Sequence, residues 1–134
     1  MNVLVDTSVW SLALRRNALS TAPELRELIE LVGEGRVLML GAIRQELLSG
    51  VRNADQFRKL RDALDAFPDD PLSAADYIEA ARCSNTCHSQ GIQGANTDFL
   101  ICAVAARRKV PVLTTDHDFQ AFAHVLHFTL HAPR

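Results

Sequence analysis

The residues of this chain best able to do chemistry are carboxylates. The segment VLTTDHDF, Val112 to Phe119, sets Asp116, His117 and Asp118 side by side after an apolar run. The N-terminal run NVLV ends just as abruptly at Asp6, so two strand-like segments close on an acid. Two further acids lie on helical patterns, Glu46 in GAIRQELLSG and Asp98 near the start of NTDFLICAVAARRK. At about 100° per residue, Glu46 falls between Ala42, Ile43 and Gly50, on or beside the inward-facing side of its helix. Asp98 stands in a first turn, where free backbone N–H groups and the helix dipole favour an anion. Each acid has a plain structural explanation by itself: a first-turn Asp caps, a half-buried Glu reaches water, and Asp near a turn bonds its own backbone. Together they have another. Two carboxylates about 4 Å apart repel by about 4 kcal/mol at a surface-like dielectric, so a cluster of Asp6, Glu46, Asp98 and Asp116 either takes up protons or binds a cation. An all-oxygen donor set suits a hard ion, Mg²⁺ or Mn²⁺. Such an ion can activate water for attack on a phosphodiester.

Within VLTTDHDF, an extended backbone points Asp116 and Asp118 to one side and His117 to the other. The three therefore cannot all bind one ion. Asp116 is assigned to the cluster, supported by Thr114. Asp118 has two readings, a further metal ligand through water or a cap on the helix at FQAFA, of which the cap is favoured. His117 is expected to be exposed.

The elements that must position these acids alternate. Strands are expected at NVLV, RVLML, VPVLTT and VLHFTL, with a very short one near Leu72. Helices are expected from Ser8 to Arg16, after TAPE with Thr21 as cap and Pro23 in the first turn, from Gly41 to Gly50, and from Asn53 to Phe67. A Ser73–Asp76 capping box opens another, and Asn96 or Thr97 caps a helix through Lys109 whose run FLICAVAA is apolar nearly all round. The alternation predicts a parallel α/β sheet with helices on both faces, in which function sits at the carboxyl ends of strands. Asp6 and Asp116 occupy such ends.

The 134 residues are 48% hydrophobic with mean hydropathy +0.01, which fits one domain over 1–134. No apolar run approaches the roughly 20 residues of a membrane span, and MNVLVDTSVW lacks the features of a signal peptide, so a cytoplasmic protein is expected. The three cysteines do not complete a zinc site and are read as structural thiols. A net charge of -2 excludes the global basicity of many nucleic-acid binders.

The segments VLVDTSVW and GANTDFLICAVAARRKVPVLTTDHDF, with Glu46 between them, resemble PIN-domain ribonucleases of the VapC toxin type. The resemblance runs over essentially the whole chain, although residues 52–92 match only in helical pattern and length. It implies a three-layer α/β/α fold around a four- or five-stranded parallel sheet, and a Mg²⁺- or Mn²⁺-dependent endoribonuclease. It further implies that Asp6, Glu46, Asp98 and Asp116 form the metal pocket, with Thr7, Ser8 and Thr114 supporting it by hydrogen bonds. A VapB-type antitoxin and a homodimer are the implied partners. Cys102 stands where such proteins more often have Ala, a packing change. Arg15, Arg16, Arg44 and Arg52 are the candidate RNA contacts, with Arg58, Lys59 and Arg61 nearby, whereas Arg107, Arg108 and Lys109 end a helix and are read as structural.

Alternatives are weighed on residues. A receiver domain needs a lysine after a late strand, and Lys109 precedes its strand. A haloacid-dehalogenase-type phosphatase needs a second acid two residues after Asp6, where Ser8 stands. A PIN-like RNA- or protein-binding module without activity is opposed by the intact set of acids.

Overall fold

A computed structural model describes residues 1–14 and 21–134. In chain order the elements are β1 (Val3–Val5), α1 (Thr7–Leu14), α2 (Pro23–Gly33), β2 (Val37–Leu38), α3 (Gly41–Leu48), α4 (Ala54–Leu64), α5 (Ala74–Ser89), α6 (Asn96–Arg108), β3 (Val112–Leu113) and α7 (Asp118–Val125).

The strands pair in the order β2-β1-β3, all parallel, with Val3 opposite Val37 and Val5 opposite Leu113. Every residue of β1 is fully buried, although adjacent side chains point to opposite faces. Both faces of the sheet are therefore covered, as a β-branched run in a parallel sheet requires, and the fold is a three-layer α/β/α sandwich. The expected four or five strands are corrected to three among the described residues. Single bridges extend the sheet at either edge, from Met39 to Asp69 and from Val112 to Leu130. Neither lengthens into a strand: the chain turns into α3 straight after Leu40, and past Leu130 it leaves for α2. The short strand expected near Leu72 is thus the bridge at Asp69, and VLHFTL contributes only Leu130.

Local chemistry sets the helix limits. Pro23 occupies the first turn of α2 as expected, because its missing N–H and fixed φ suit that position. The cap position, however, is Ala22 rather than Thr21. Asn53 caps α4 by accepting from the Gln56 N–H at 3.0 Å, and α4 ends at Leu64, short of Phe67. α3 ends at Leu48. The predicted end of the first helix at Arg16 lies outside the described residues. In α6, seven consecutive residues from Phe99 to Ala105 are buried, so this helix passes through the core as its unbroken apolar run demands. Its N-cap is Ala95 and not Asn96 or Thr97.

Two buried acids fasten the layers. Asp76, 1% exposed, accepts from the Ser73 N–H at 2.8 Å, completing the expected capping box. It also accepts from Arg107 Nε at 2.8 Å and Arg108 Nη1 at 2.6 Å, while Arg108 Nε reaches Asp70 at 2.8 Å. Hydrogen bonds from Arg108 hold Asp76 well below the usual carboxylate range against the opposing effect of burial. The two arginines are structural, as expected, but their partner is a buried carboxylate that locks the start of α5 to the end of α6. Glu27 of α2, also buried, binds His131 and accepts from Arg134 Nε at 2.8 Å. All three cysteines are buried and unbridged, and burial pushes Cys83 up to about 11, in keeping with structural thiols.

Candidate functional site

β1 delivers Asp6 and β3 delivers Thr114 at adjacent ends of the sheet, because the two strands are hydrogen-bonded neighbours. The Asp6 N–H donates to Leu113 O at 2.9 Å, continuing that ladder to the point where the acid begins. The Asp6 side chain is 5% exposed, and two hydroxyls converge on its Oδ2: Ser8 Oγ at 2.7 Å and Thr114 Oγ1 at 2.8 Å. Each hydroxyl is oriented in turn. The Thr115 N–H donates to Ser8 Oγ at 3.1 Å, and the Asp116 N–H donates to Thr114 Oγ1 at 2.9 Å. These bonds satisfy a buried carboxylate that would otherwise be expensive.

Thr7 supports a different acid. Its Oγ1 donates to Glu46 Oε1 at 2.7 Å, bridging α1 to α3. Glu46 is exposed rather than inward-facing, which corrects the helical-wheel expectation. Asp98, half-buried at the start of α6, accepts from the Ala95 N–H at 2.9 Å. Burial raises its proton affinity, the Ala95 N–H opposes the rise, and the charges of Asp6, Asp116 and Glu46 add to it. Asp6, Asp116 and Glu46 thus each bear on Asp98 electrostatically. Among the described residues, no three His, Cys, Asp or Glu side chains stand arranged to chelate an ion. Mutual repulsion opposes closer approach of the four carboxylates. Their chemistry, all oxygen and no thiolate, fits a hard divalent ion.

Asp116 caps the turn that leads into α7, one residue before the N-cap position at His117. Its Oδ1 accepts from the Asp118 N–H at 2.9 Å and its backbone carbonyl from the Phe119 N–H at 3.2 Å. The cap assigned to Asp118 thus belongs to Asp116, whose carboxylate lies one residue outside the turn whose free N–H it meets. Asp118 and His117 are both exposed.

The candidate RNA contacts fare differently. Arg44 is engaged within the protein: its Nε donates to Asp69 Oδ1 at 2.9 Å, Nη1 to Leu64 O at 3.0 Å, and Nη2 to Phe67 O. Three of its five N–H groups thus clamp α3 to the segment after α4. Arg52 is exposed. Arg58 and Arg61 pair with Asp55 and Asp62 on the exposed face of α4. Arg15 and Arg16 lie outside the described residues.

Gly94 was given no role by sequence reasoning. A β-carbon there would lie 2.8 Å from Phe122 Cζ and 2.9 Å from Phe99 Cζ. Only a residue without a side chain lets this loop rest on the Phe99–Phe122 pair and present the Ala95 N–H to Asp98. A glycine just before the capping segment of a helix was the only trace of this in the sequence.

No curated protein matches the chain in sequence. Solved structures do match in shape. The FitAcB structure from Neisseria gonorrhoeae is 20% identical, covers 98% of this chain and 97% of its own, and has a TM-score of 0.75. VapBC2 from Rickettsia felis, bound to a DNA fragment from its promoter, is 17% identical over 98% of each chain at a TM-score of 0.77. VapBC-5 of Mycobacterium tuberculosis, described as a member of the VapBC family of toxin-antitoxin systems, is 23% identical over 96% of each chain at 0.67. At these identities the likeness concerns the fold. The family model described as PIN domain matches residues 3–125, and the chain belongs to the PIN domain family.

Proposed function

We propose that the chain, acting as one domain over residues 1–134, is a Mg²⁺- or Mn²⁺-dependent endoribonuclease and the toxin of a VapBC-type pair. What carries this is the set of supported acids: Asp6, fixed by Ser8 and Thr114 where β1 ends beside β3, and Glu46, held by Thr7, with Asp98 pushed up by burial and, after it, by the charges of Asp6, Asp116 and Glu46. PIN domains are generally nucleases, and the matching folds come from toxin-antitoxin complexes, which supports a VapB-type antitoxin as partner. A homodimer and a cytoplasmic location belong to the same reading; no helix among the described residues is long and apolar enough to cross a membrane.

In this proposal Asp6, Glu46, Asp98 and Asp116 hold the ion, with Asp118 at the rim. The ion supplies an activated water and positive charge for the phosphodiester. The rest is the work of the chain. Ser8 and Thr114 fix Asp6 through Oδ2, Thr7 holds the tip of Glu46, the Ala95 N–H sets Asp98, and the Asp118 N–H aims Asp116. Such support confines each carboxylate to one orientation, so little reorganisation remains for the reaction step. Of the four candidate arginines, Arg52 is exposed and has no partner among the described residues, and it is assigned to the RNA backbone.

The test is incubation of purified protein with RNA and Mg²⁺ or Mn²⁺, beside a chelator control and Asp6→Asn. Chelation should abolish cleavage, and Asp6→Asn should slow it on the order of 100-fold or more. Cleavage that persists through both would sink the mechanism.

A further inference from the structure

A pocket of about 280 Å³ opens beside Asp116, between the start of α2 and the β3–α7 connection. Glu24, Thr115, Asp116, His117, Gln120 and Leu130 line it. Its volume is just below the roughly 300–1,000 Å³ of drug-sized ligand sites, which suits one planar ring and excludes a longer segment. Neither Lys nor Arg lines it, and two carboxylates do, so a phosphate is disfavoured. What the lining offers is different. Leu130 is 38% exposed and gives an apolar floor, while the exposed His117 ring gives a stacking surface. Gln120 brings an amide with donors and an acceptor, and Glu24 a carboxylate acceptor. Among the described residues neither of these side chains has a hydrogen-bond partner.

We propose that this pocket receives a single nucleobase of the RNA, and that Glu24 and Gln120 favour one carrying an exocyclic amino group. The inference rests on the ribonuclease reading, because Asp116 would then belong to both sites and the base would lie beside the phosphodiester held by the acids. A carboxylate accepts from the amino group of cytosine, adenine or guanine. Uracil has no amino group and offers the same anion only its N3–H, flanked by two carbonyl oxygens that repel it.

Two measurements decide the matter. In the first, the full chain is titrated with cytidine, adenosine or uridine, without added metal, and Gln120 and His117 signals are followed by NMR. Cytidine and adenosine should shift them at concentrations roughly 5- to 10-fold lower than uridine, and Glu24→Gln should erase the difference between cytidine and uridine. In the second, RNAs differing at one nucleotide beside the cut are compared, and Gln120→Ala together with Glu24→Gln should flatten the preference. Cleavage whose base preference ignores both substitutions would overturn the pocket and leave the ribonuclease standing. Nucleoside binding at Gln120 in a protein that cuts no RNA would support the pocket and defeat the hydrolytic reading. Equal shifts with all three nucleosides, or shifts with none, would overturn the proposal outright.

Discussion

Asp76 and Asp98 are the same residue type at the same place, three residues past the cap of a helix, and each accepts from the backbone N–H of its cap residue. They nonetheless ionise in opposite senses. Asp76 faces two guanidinium groups and is held low, whereas burial and three neighbouring carboxylates push Asp98 up. For Asp98 the folded chain binds a proton more tightly than the unfolded one. Stability therefore falls as pH rises from the unfolded value of about 3.9 through the raised folded value, and the loss is complete above it. Asp98→Asn keeps an acceptor for the Ala95 N–H and removes the repulsion. In metal-free protein at pH 7 it should raise Tm by roughly 2–4 °C, the gain disappearing below about pH 4, while metal-dependent cleavage falls. Thermal melts across pH in the presence of a chelator check this. A lower Tm at pH 7 would contradict the electrostatic account.

At the scale of elements, α6 is fastened at both ends for different purposes. Its C-terminal arginines reach the buried Asp76, and removing one partner of such a pair costs about 3–5 kcal/mol in general. Its N-terminus depends on Gly94 packing against Phe99 and Phe122, rings whose centroids lie 5.3 Å apart. Gly94→Ala should cost about 1–3 kcal/mol by overpacking, measured by urea unfolding, because ring atoms of the core have little room to yield. Cleavage should fall further than stability accounts for, since the displaced loop carries the N–H that orients Asp98. Unchanged stability and rate would show that the loop shifts freely. The limits of α2 and α6 show why caps are hard to read: several small or polar residues precede each helix, and the local sequence does not say at which of them the backbone turns.

For the molecule as a whole, the C-terminal segment closes the structure. Leu130 bridges Val112 at the sheet edge, and His131 and Arg134 cross to Glu27 on α2. Burial pushes Glu27 upward, but its hydrogen bonds with His131 and Arg134 outweigh this and hold it below its ordinary value. The sign follows: this pairing stabilises the fold fully above the unfolded pKa of about 4.3 and is lost as pH falls through the lower folded value. Ending the chain after Leu130 should lower Tm by several degrees at pH 7, and the gap between full-length and shortened chains should narrow as pH falls below about 4. Circular-dichroism melts of the two proteins would show it. A gap that widens in acid would mean that Glu27 is not what the segment secures.

The pattern of alternating strands and helices, the buried character of α6 and the two acids at strand ends were legible in the sequence because they rest on local periodicity, which a single run of residues displays. So was the capping box at Ser73. A shared site for Asp6, Glu46, Asp98 and Asp116 could be read from the sequence only as a possibility and through family resemblance, since any approach of Asp6 to Asp116 depends on β1 lying beside β3. Tertiary structure alone decided that exposed Glu46 is held by Thr7, that Arg44 is a clamp, that Asp116 rather than Asp118 caps the turn into α7, and that Gly94 must be small. Each of these is a contact between segments distant in sequence or a choice between adjacent residues at a turn. Local pattern sets which element a residue joins, but the neighbours that fix its charge and its freedom arrive from elsewhere in the chain.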